Sequence, residues 1–99
     1  MRVTFERTGG FAGITLTKVV DTATLPENEA NHLRQLVDAA DFFGLPEIIK
    51  SNNSPVDRFQ YQLTVEDNGK QHIVEVSEQA MPATLKPLIE WLMAAARRR

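Results

Sequence analysis

An alternating segment next to an Asn-Gly pair constrains the fold of this chain more than any other feature. Large apolar residues occupy every second position, namely Phe59, Tyr61, Leu63 and Val65. This period of two predicts a β-strand buried on one face. Asp67-Asn68-Gly69-Lys70 follows, and Asn-Gly is the strongest short-range signal for a hairpin turn. The return strand, residues 71–76, is expected to place Val74 and Val76 on the face opposite Ile73.

A second hairpin is predicted near the start of the chain. Residues 3–7 and 14–20 alternate in the same way, so they should pair across the segment Gly9-Gly10-Phe11-Ala12-Gly13. Glycine is available there for positive φ angles. Two interpretations of Phe11 remain open, since the ring either folds under the loop as a local plug or is offered to a partner.

Two amphipathic helices follow the two hairpins. Thr24 and Glu27 predict a capping box at the start of the first helix, with Pro26 tolerated in its first turn. Its apolar stripe is Ala30, Leu33, Leu36, Val37 and Ala40. Gly44 and Pro46 end this helix, and the preceding phenylalanines, Phe42 and Phe43, are expected to close the core.

The second helix is placed by Pro87, which is tolerated only near a helix start. We therefore expect the helix to begin near Thr84, which would cap it. The predicted buried stripe consists of Leu85, Leu88, Ile89, Leu92 and Ala96. Arg97-Arg98-Arg99 places positive charge at the negative end of the helix dipole.

The order ββαββα predicts an α+β fold with a four-stranded antiparallel sheet and two helices packed on one face. Residues 1–99 are expected to form a single domain. If each helix crosses back over the sheet, three irregular segments meet at one end, namely residues 9–13, 47–57 and 78–82. The segment 47–57 is either a plain crossover or a binding loop.

Composition narrows the class of protein. The chain has 99 residues, of which 42% are hydrophobic and 24% charged, as in ordinary globular proteins. A net charge of -2 argues against a nucleic-acid partner. The sequence contains no cysteine, no signal-like apolar run and no segment long enough to span a bilayer. We therefore expect a cytoplasmic protein that does not bind membranes and is monomeric when free.

Residues that could support catalysis are few. His32 and His72 have no second ligand at metal-binding spacing, so both are expected to be solvated or satisfied surface histidines. Serines lack a nucleophile-elbow motif, and the glycines at 9–13 precede a strand, whereas a phosphate loop precedes a helix. The chain is therefore predicted to be a binding protein, with no catalytic residue, no cofactor and no metal site.

Several strings together resemble the emfourin (protealysin inhibitor) family. They are residues 6–13 (ERTGGFAG), Leu25-Pro26, residues 39–43 with Leu45-Pro46, residues 59–66 and residues 87–92. The resemblance covers essentially the whole chain, and Gly-Gly-Phe-Ala-Gly is its most specific part. It implies a small bacterial cytoplasmic protein that inhibits thermolysin-like zinc metallopeptidases by occupying their substrate cleft.

The resemblance and the predicted hairpin tip together select candidate contact residues. They are Gly9, Gly10, Phe11, Ala12 and Gly13 in the tip, with Asn52, Asn53 and Ser54 in the neighbouring loop. The alternative is a non-catalytic adaptor that uses the same loop surface, or the exposed edge of the sheet, to bind another protein.

Overall fold

A five-stranded mixed sheet and two α-helices make up the fold. The computed structural model describes residues 1–9, 15–49 and 59–97. Its elements are β1 (Arg2–Thr8), β2 (Leu16–Asp21), α1 (Glu27–Ala39), β3 (Ile48–Ile49), β4 (Gln60–Asp67), β5 (Lys70–Ser77) and α2 (Lys86–Arg97), with short 3₁₀ turns at Phe42–Gly44 and Glu78–Ala80. The strand order is β2-β1-β4-β5-β3. The predicted α+β class is confirmed.

The prediction of four antiparallel strands is wrong in one respect. Ile48 and Ile49 lie within the segment predicted as a loop, yet they pair with β5 in parallel. The Glu75 N–H also donates to the Glu47 carbonyl at 2.7 Å. Two residues are too few to show an alternating pattern, so only the neighbouring strand reveals that this segment is extended.

The hairpin between β4 and β5 has the predicted turn. Asp67 pairs with Lys70, which leaves a loop of two residues. Asn68 and Gly69 have φ angles of 51° and 80°. Positive φ at both central residues is the requirement of a type I′ turn, whose twist matches that of the strands.

One face of the sheet carries the core. The buried strand residues on this face are Val3, Phe5, Val20, Tyr61, Leu63, Val65, Val74 and Val76. Both helices pack against it through Leu33, Val37, Leu88 and Leu92, which belong to the same apolar cluster. On the opposite face, Val19, Thr4, Thr64 and Ile73 lie side by side across four strands. We call this second surface the open face, and Val19 and Ile73 are exposed on it.

Helix α1 begins later than predicted and without the expected capping box. Its N-cap is Pro26, and no side chain caps the first turn. The Thr24 hydroxyl instead donates to the Asp21 carbonyl at 3.0 Å, while the Asp21 carboxylate accepts from the Ala23 N–H. Thr24 and Asp21 therefore stabilise the turn that leaves β2, which is a competing use of the same short polar side chains.

Helix α1 also takes a different path from the predicted one. The Arg34 guanidinium, in the middle of the helix, donates to the Thr22 hydroxyl, which also accepts from the N-terminal ammonium. This part of α1 therefore lies at the end of the sheet where β1 begins. Asp41, after the helix, lines a cavity together with Met1 and Asn68. Residues 45–49 then run parallel to β5 towards the opposite end of the sheet. This extended segment, and not α1, brings the chain back along the length of the sheet.

The predicted apolar stripes are mostly confirmed. In α1, Leu36 is only half-buried, whereas the remainder of the stripe is buried. In α2, which begins two residues after Thr84, the buried alanine is Ala95 and not Ala96. Phe42 closes the core as expected, but Phe43 is 39% exposed, so that half of the prediction is wrong. Arg98 and Arg99 lie outside the described residues.

Candidate functional site

Four strands begin or end at the same end of the sheet, namely β1, β3, β4 and β5. Thr8, at the end of β1, pairs with Gln60 at the start of β4, and Gln60 pairs with Ser77 at the end of β5. Ile49, the last residue of β3, pairs with Val76 one position away. Thr8, Ile49, Gln60 and Ser77 thus lie at one end of the sheet, which we call the loop end.

A group of side chains joins these segments at the base of the loop end. The Arg7 guanidinium carbon lies 4.4 Å from the centroid of the Phe59 ring, which is a cation–π contact. The Glu78 N–H donates to the Phe59 carbonyl at 3.1 Å. Arg7 also donates to the Tyr61 hydroxyl oxygen. We call Arg7, Phe59, Tyr61 and Glu78 the loop-base cluster.

The loop-base cluster is continuous with the core. Tyr61 is only 7% exposed, and its ring stacks on Phe5 with centroids 6.0 Å apart and planes inclined by 25°. The Arg7 Nε atom is buried without a hydrogen-bond partner in the part of the chain that the structure describes. Because a desolvated guanidinium is attracted to an aromatic face, the Phe59 contact offsets part of that desolvation.

The environment of Tyr61 changes its acidity. Burial raises the pKa of the Tyr61 hydroxyl, and the negative charge of Glu78 raises it further, while the Arg7 charge and hydrogen bond act in the opposite direction. The phenol is therefore neutral at physiological pH. A buried neutral tyrosine that accepts from Arg7 and stacks on Phe5 is suited to hold strands together, and not to transfer protons.

Of the eight predicted contact residues, only Gly9 lies within the described residues. Its φ angle is 102°, which L side chains rarely adopt, so glycine is required at the exit from β1. The predicted contacts Gly10, Phe11, Ala12, Gly13, Asn52, Asn53 and Ser54 all lie outside the described residues. Their part in binding stays a prediction.

The histidines are placed as structural or surface residues. His32 is exposed on α1. His72 is half-buried, and its Nε2 donates to the Leu45 carbonyl at 2.7 Å. The His72 ring also meets the edge of Phe42 with centroids 5.6 Å apart. This contact fastens the segment after α1 to β5, at the end of the sheet opposite the loop end.

The described part of the chain contains neither a cluster of metal ligands nor a membrane-spanning helix. No three His, Asp or Glu side chains of residues 1–9, 15–49 and 59–97 come together as metal ligands. Within the same residues, neither helix is long and apolar enough to cross a membrane.

The sequence pattern did not identify the loop-base cluster. The alternating pattern places Arg7 in a strand, and it places Phe59 and Tyr61 on the buried face of another strand. Their meeting depends on the register that pairs Arg7 with Tyr61, and β1 and β4 are far apart in the chain. The cluster could be found from sequence only by predicting how β1 and β4 pair, using the two hairpin turns and the buried faces of the strands.

Comparisons with known proteins agree with the resemblance noted in the sequence. The family model named Emfourin matches residues 5–93, which is most of the chain. Neither a search of curated proteins nor a search of solved structures found a significant match. The matched range begins within β1 and ends within α2, and it includes all of β2, α1, β3, β4 and β5. The chain therefore belongs to the Emfourin family.

Proposed function

We propose that this chain is a proteinaceous inhibitor of thermolysin-like zinc metallopeptidases, which binds non-covalently in their substrate cleft. The observation that carries the proposal is the Emfourin match over residues 5–93. In this proposal the hairpin tip, Gly9–Gly13, enters the cleft, and Phe11 occupies the subsite that receives a bulky apolar side chain. The chain acts by blocking access to the cleft, with no catalytic residue of its own.

The geometry of the loop end supports this proposal. Strands β1 and β4 are neighbours in the sheet, and Arg7 near the end of β1 contacts Phe59 just before β4. The described residues next to the proposed contacts are therefore held by the core. A base that is already ordered before binding reduces the conformational entropy lost in the complex, which is how a loop inhibitor becomes tight.

The size of a specific interface favours a contribution from more than the tip. Such interfaces bury roughly 800 Å² on each partner, which exceeds what five residues supply. Gln60, the first residue of β4, pairs with Thr8, the last residue of β1. Asn52, Asn53 and Ser54 are therefore proposed as the second group of contacts.

An inhibition assay tests the proposal directly. The purified chain is titrated into thermolysin, and hydrolysis of a short fluorogenic peptide is followed. We expect hydrolysis to be abolished as the inhibitor approaches equimolar amounts. If hydrolysis is unchanged at micromolar protein with several thermolysin-like enzymes, the proposal is wrong. A pull-down from the native host that recovers a protein other than a peptidase would then favour the adaptor function.

A pair of phenylalanine variants tests the position of the contact. Phe11→Ala should weaken inhibition by about fivefold or more, roughly 1 kcal/mol, because aromatic anchors carry much of the energy of an interface. Phe43→Ala is the matched control, since Phe43 is exposed and lies next to His72, away from the loop end. Equal effects of the two variants on inhibition would exclude the tip as the contact, and thermal unfolding of each variant checks its folding.

A further inference from the structure

Strand β2 forms an outer edge of the sheet with unpaired backbone groups. The Thr22 N–H donates to the Met1 carbonyl at 2.9 Å, and β2 pairs with β1 in an antiparallel register. Hydrogen-bonded pairs alternate along such a ladder, so Val20 and Lys18 direct their N–H and C=O groups towards β1. Thr17 and Val19 therefore direct theirs outward, where no other described strand pairs with them.

A groove lies beside this edge on the core-facing side of the sheet. It has a cavity of about 250 Å³ between β2, the start of α1 and the second half of α2. Leu25, Trp91 and Ala95 supply apolar surface, and the charged lining residues are Lys18, Asp21 and Glu29. This volume is below the roughly 300–1,000 Å³ that is usual for small-molecule sites, but it suits one bulky side chain.

We propose that this β2 groove binds an extended peptide segment of a partner protein, which adds to the sheet as a sixth strand. The peptide backbone pairs with Val19 and Thr17, and alternate side chains face the groove. The site is separate from the loop end, so it is independent of the proposed inhibition. It gives this protein a second binding surface.

The register and the charges predict the peptide pattern. In an antiparallel strand, one residue lies opposite Val20 and its side chain shares the core-facing side with Val20. That residue should be large and apolar, because it meets Trp91 and Leu25. The residue two positions later lies directly opposite Lys18 on the same side of the sheet, so it should be acidic to match the Lys18 ammonium. The predicted pattern is apolar-x-acidic, read from the N-terminus.

A second copy of this chain fits the groove less well than such a peptide. Pairing of two β2 strands would require each copy to offer an apolar side chain to the cavity of the other. Val20 lines the groove but is only 4% exposed, because its own core already buries it. Leu16 is the other apolar residue on this side of β2, and the antiparallel register that sets Leu16 opposite Val20 also sets Lys18 opposite Lys18, where the like charges repel. A free peptide has no such prior packing.

Trp91 provides a direct signal for binding, since it is the only tryptophan in the sequence and lines the groove. The probe is the capped peptide Thr-Thr-Leu-Thr-Glu-Thr-Thr, titrated into the full chain. We expect a saturable change in Trp91 emission below about 1 mM peptide, the range of weak peptide recognition. Replacing the peptide leucine by alanine should weaken binding about tenfold or more.

Methylated peptides test the backbone pairing without altering the protein. The threonine between leucine and glutamate lies opposite Val19, so its N–H should donate to the Val19 carbonyl. N-methylation of that threonine should abolish binding. N-methylation of the glutamate is the matched control and should have little effect, because that N–H faces away from β2.

Charge reversal tests the predicted register. Lys18→Glu should weaken binding of the glutamate peptide a few-fold, and replacing the peptide glutamate by lysine should restore it. Absence of a saturable emission change up to about 1 mM overturns the proposal, as does equal loss of binding with both methylated peptides. A concentration-dependent dimer in light scattering, with no response to peptide, would assign the edge to a second copy instead.

Discussion

The strand position of Arg7 indicates an apolar core residue, but its side chain makes polar and cation–π contacts. It lies on the core-facing side of β1, opposite Tyr61, where an apolar residue is the usual choice. Its guanidinium is accommodated because Phe59 offers an aromatic face and Tyr61 offers a hydroxyl oxygen. A single side chain thereby connects the last residues of β1 with the start of β4.

Tyr61 should titrate above the ordinary tyrosine pKa of about 10, because burial and Glu78 disfavour the phenolate. The folded state then keeps its proton at a pH where the unfolded chain has lost it. The free energy of unfolding should therefore fall as the pH rises above about 10, until the folded-state pKa is passed. Since Tyr61 is the only tyrosine, phenolate absorbance during a pH titration reports it alone.

The variant Glu78→Gln provides the control for that titration. It removes one negative charge that raises the Tyr61 pKa, so the midpoint should move down while remaining above the value of the urea-unfolded chain. A wild-type midpoint equal to that of the unfolded chain would contradict the burial argument.

At the scale of elements, short segments and loops account for the departures from the expected fold. The capping box was predicted for α1 because Thr24 and Glu27 have the correct spacing, but Thr24 bonds to Asp21 at the end of β2. Strand β3 has only two residues and depends on β5 for its extended conformation. Neither outcome follows from local propensity, since each is decided by a neighbouring element.

The β4–β5 turn offers a test at this scale. Gly69→Ala should lower the free energy of unfolding by about 1–2 kcal/mol, because Gly69 has a φ angle of 80°. A Cβ atom there would meet nothing within 4 Å, so the cost comes from the backbone and not from a clash. Asn68→Gly is the control and should change stability little, since glycine also accepts positive φ. Urea denaturation that shows the same stability for Gly69→Ala and wild type would refute this account of the turn.

For the whole molecule, stability depends on one face of the sheet. Leu63 is fully buried, whereas Ile73 is 42% exposed on the open face. Leu63→Ala should therefore cost about 2–5 kcal/mol, the range for buried leucines. Ile73→Ala removes a similar side chain from β5 and should cost far less. The midpoints of thermal or urea unfolding measure both, and similar losses would mean that the open face is covered in solution.

The two proposed binding surfaces, the loop end and the β2 groove, lie at different places on the molecule. The loop end lies where β1 ends, and the β2 groove lies beside residues 18–21, which pair with residues 2–5 near the start of β1. If both proposals hold, the chain can bind a peptidase and a peptide at the same time. We then expect inhibition and Trp91 emission to respond to different variants.

Much of the architecture was predictable from local patterns. The alternating residues of β1, β4 and β5, the Asn68-Gly69 turn and the apolar stripes of both helices are properties of single segments. Each was found where it was predicted, except that Leu36 is half-buried and Ala95 is buried in place of Ala96. The candidate contacts at 10–13 and 52–54 were chosen from the hairpin tip and the family resemblance, and they remain untested. The loop-base cluster was not predicted, because its residues meet only when β1 and β4 are paired.

The sequence by itself determined the periodicities, the type I′ turn and the α+β class, because hydrophobic spacing and glycine conformation act over a few residues. Only the tertiary structure decided that β3 joins the sheet, that α1 stays at one end, and that Arg7 lies on Phe59. These features depend on contacts between residues far apart in the chain, and their energies come from burial and pairing with a partner that local sequence does not specify.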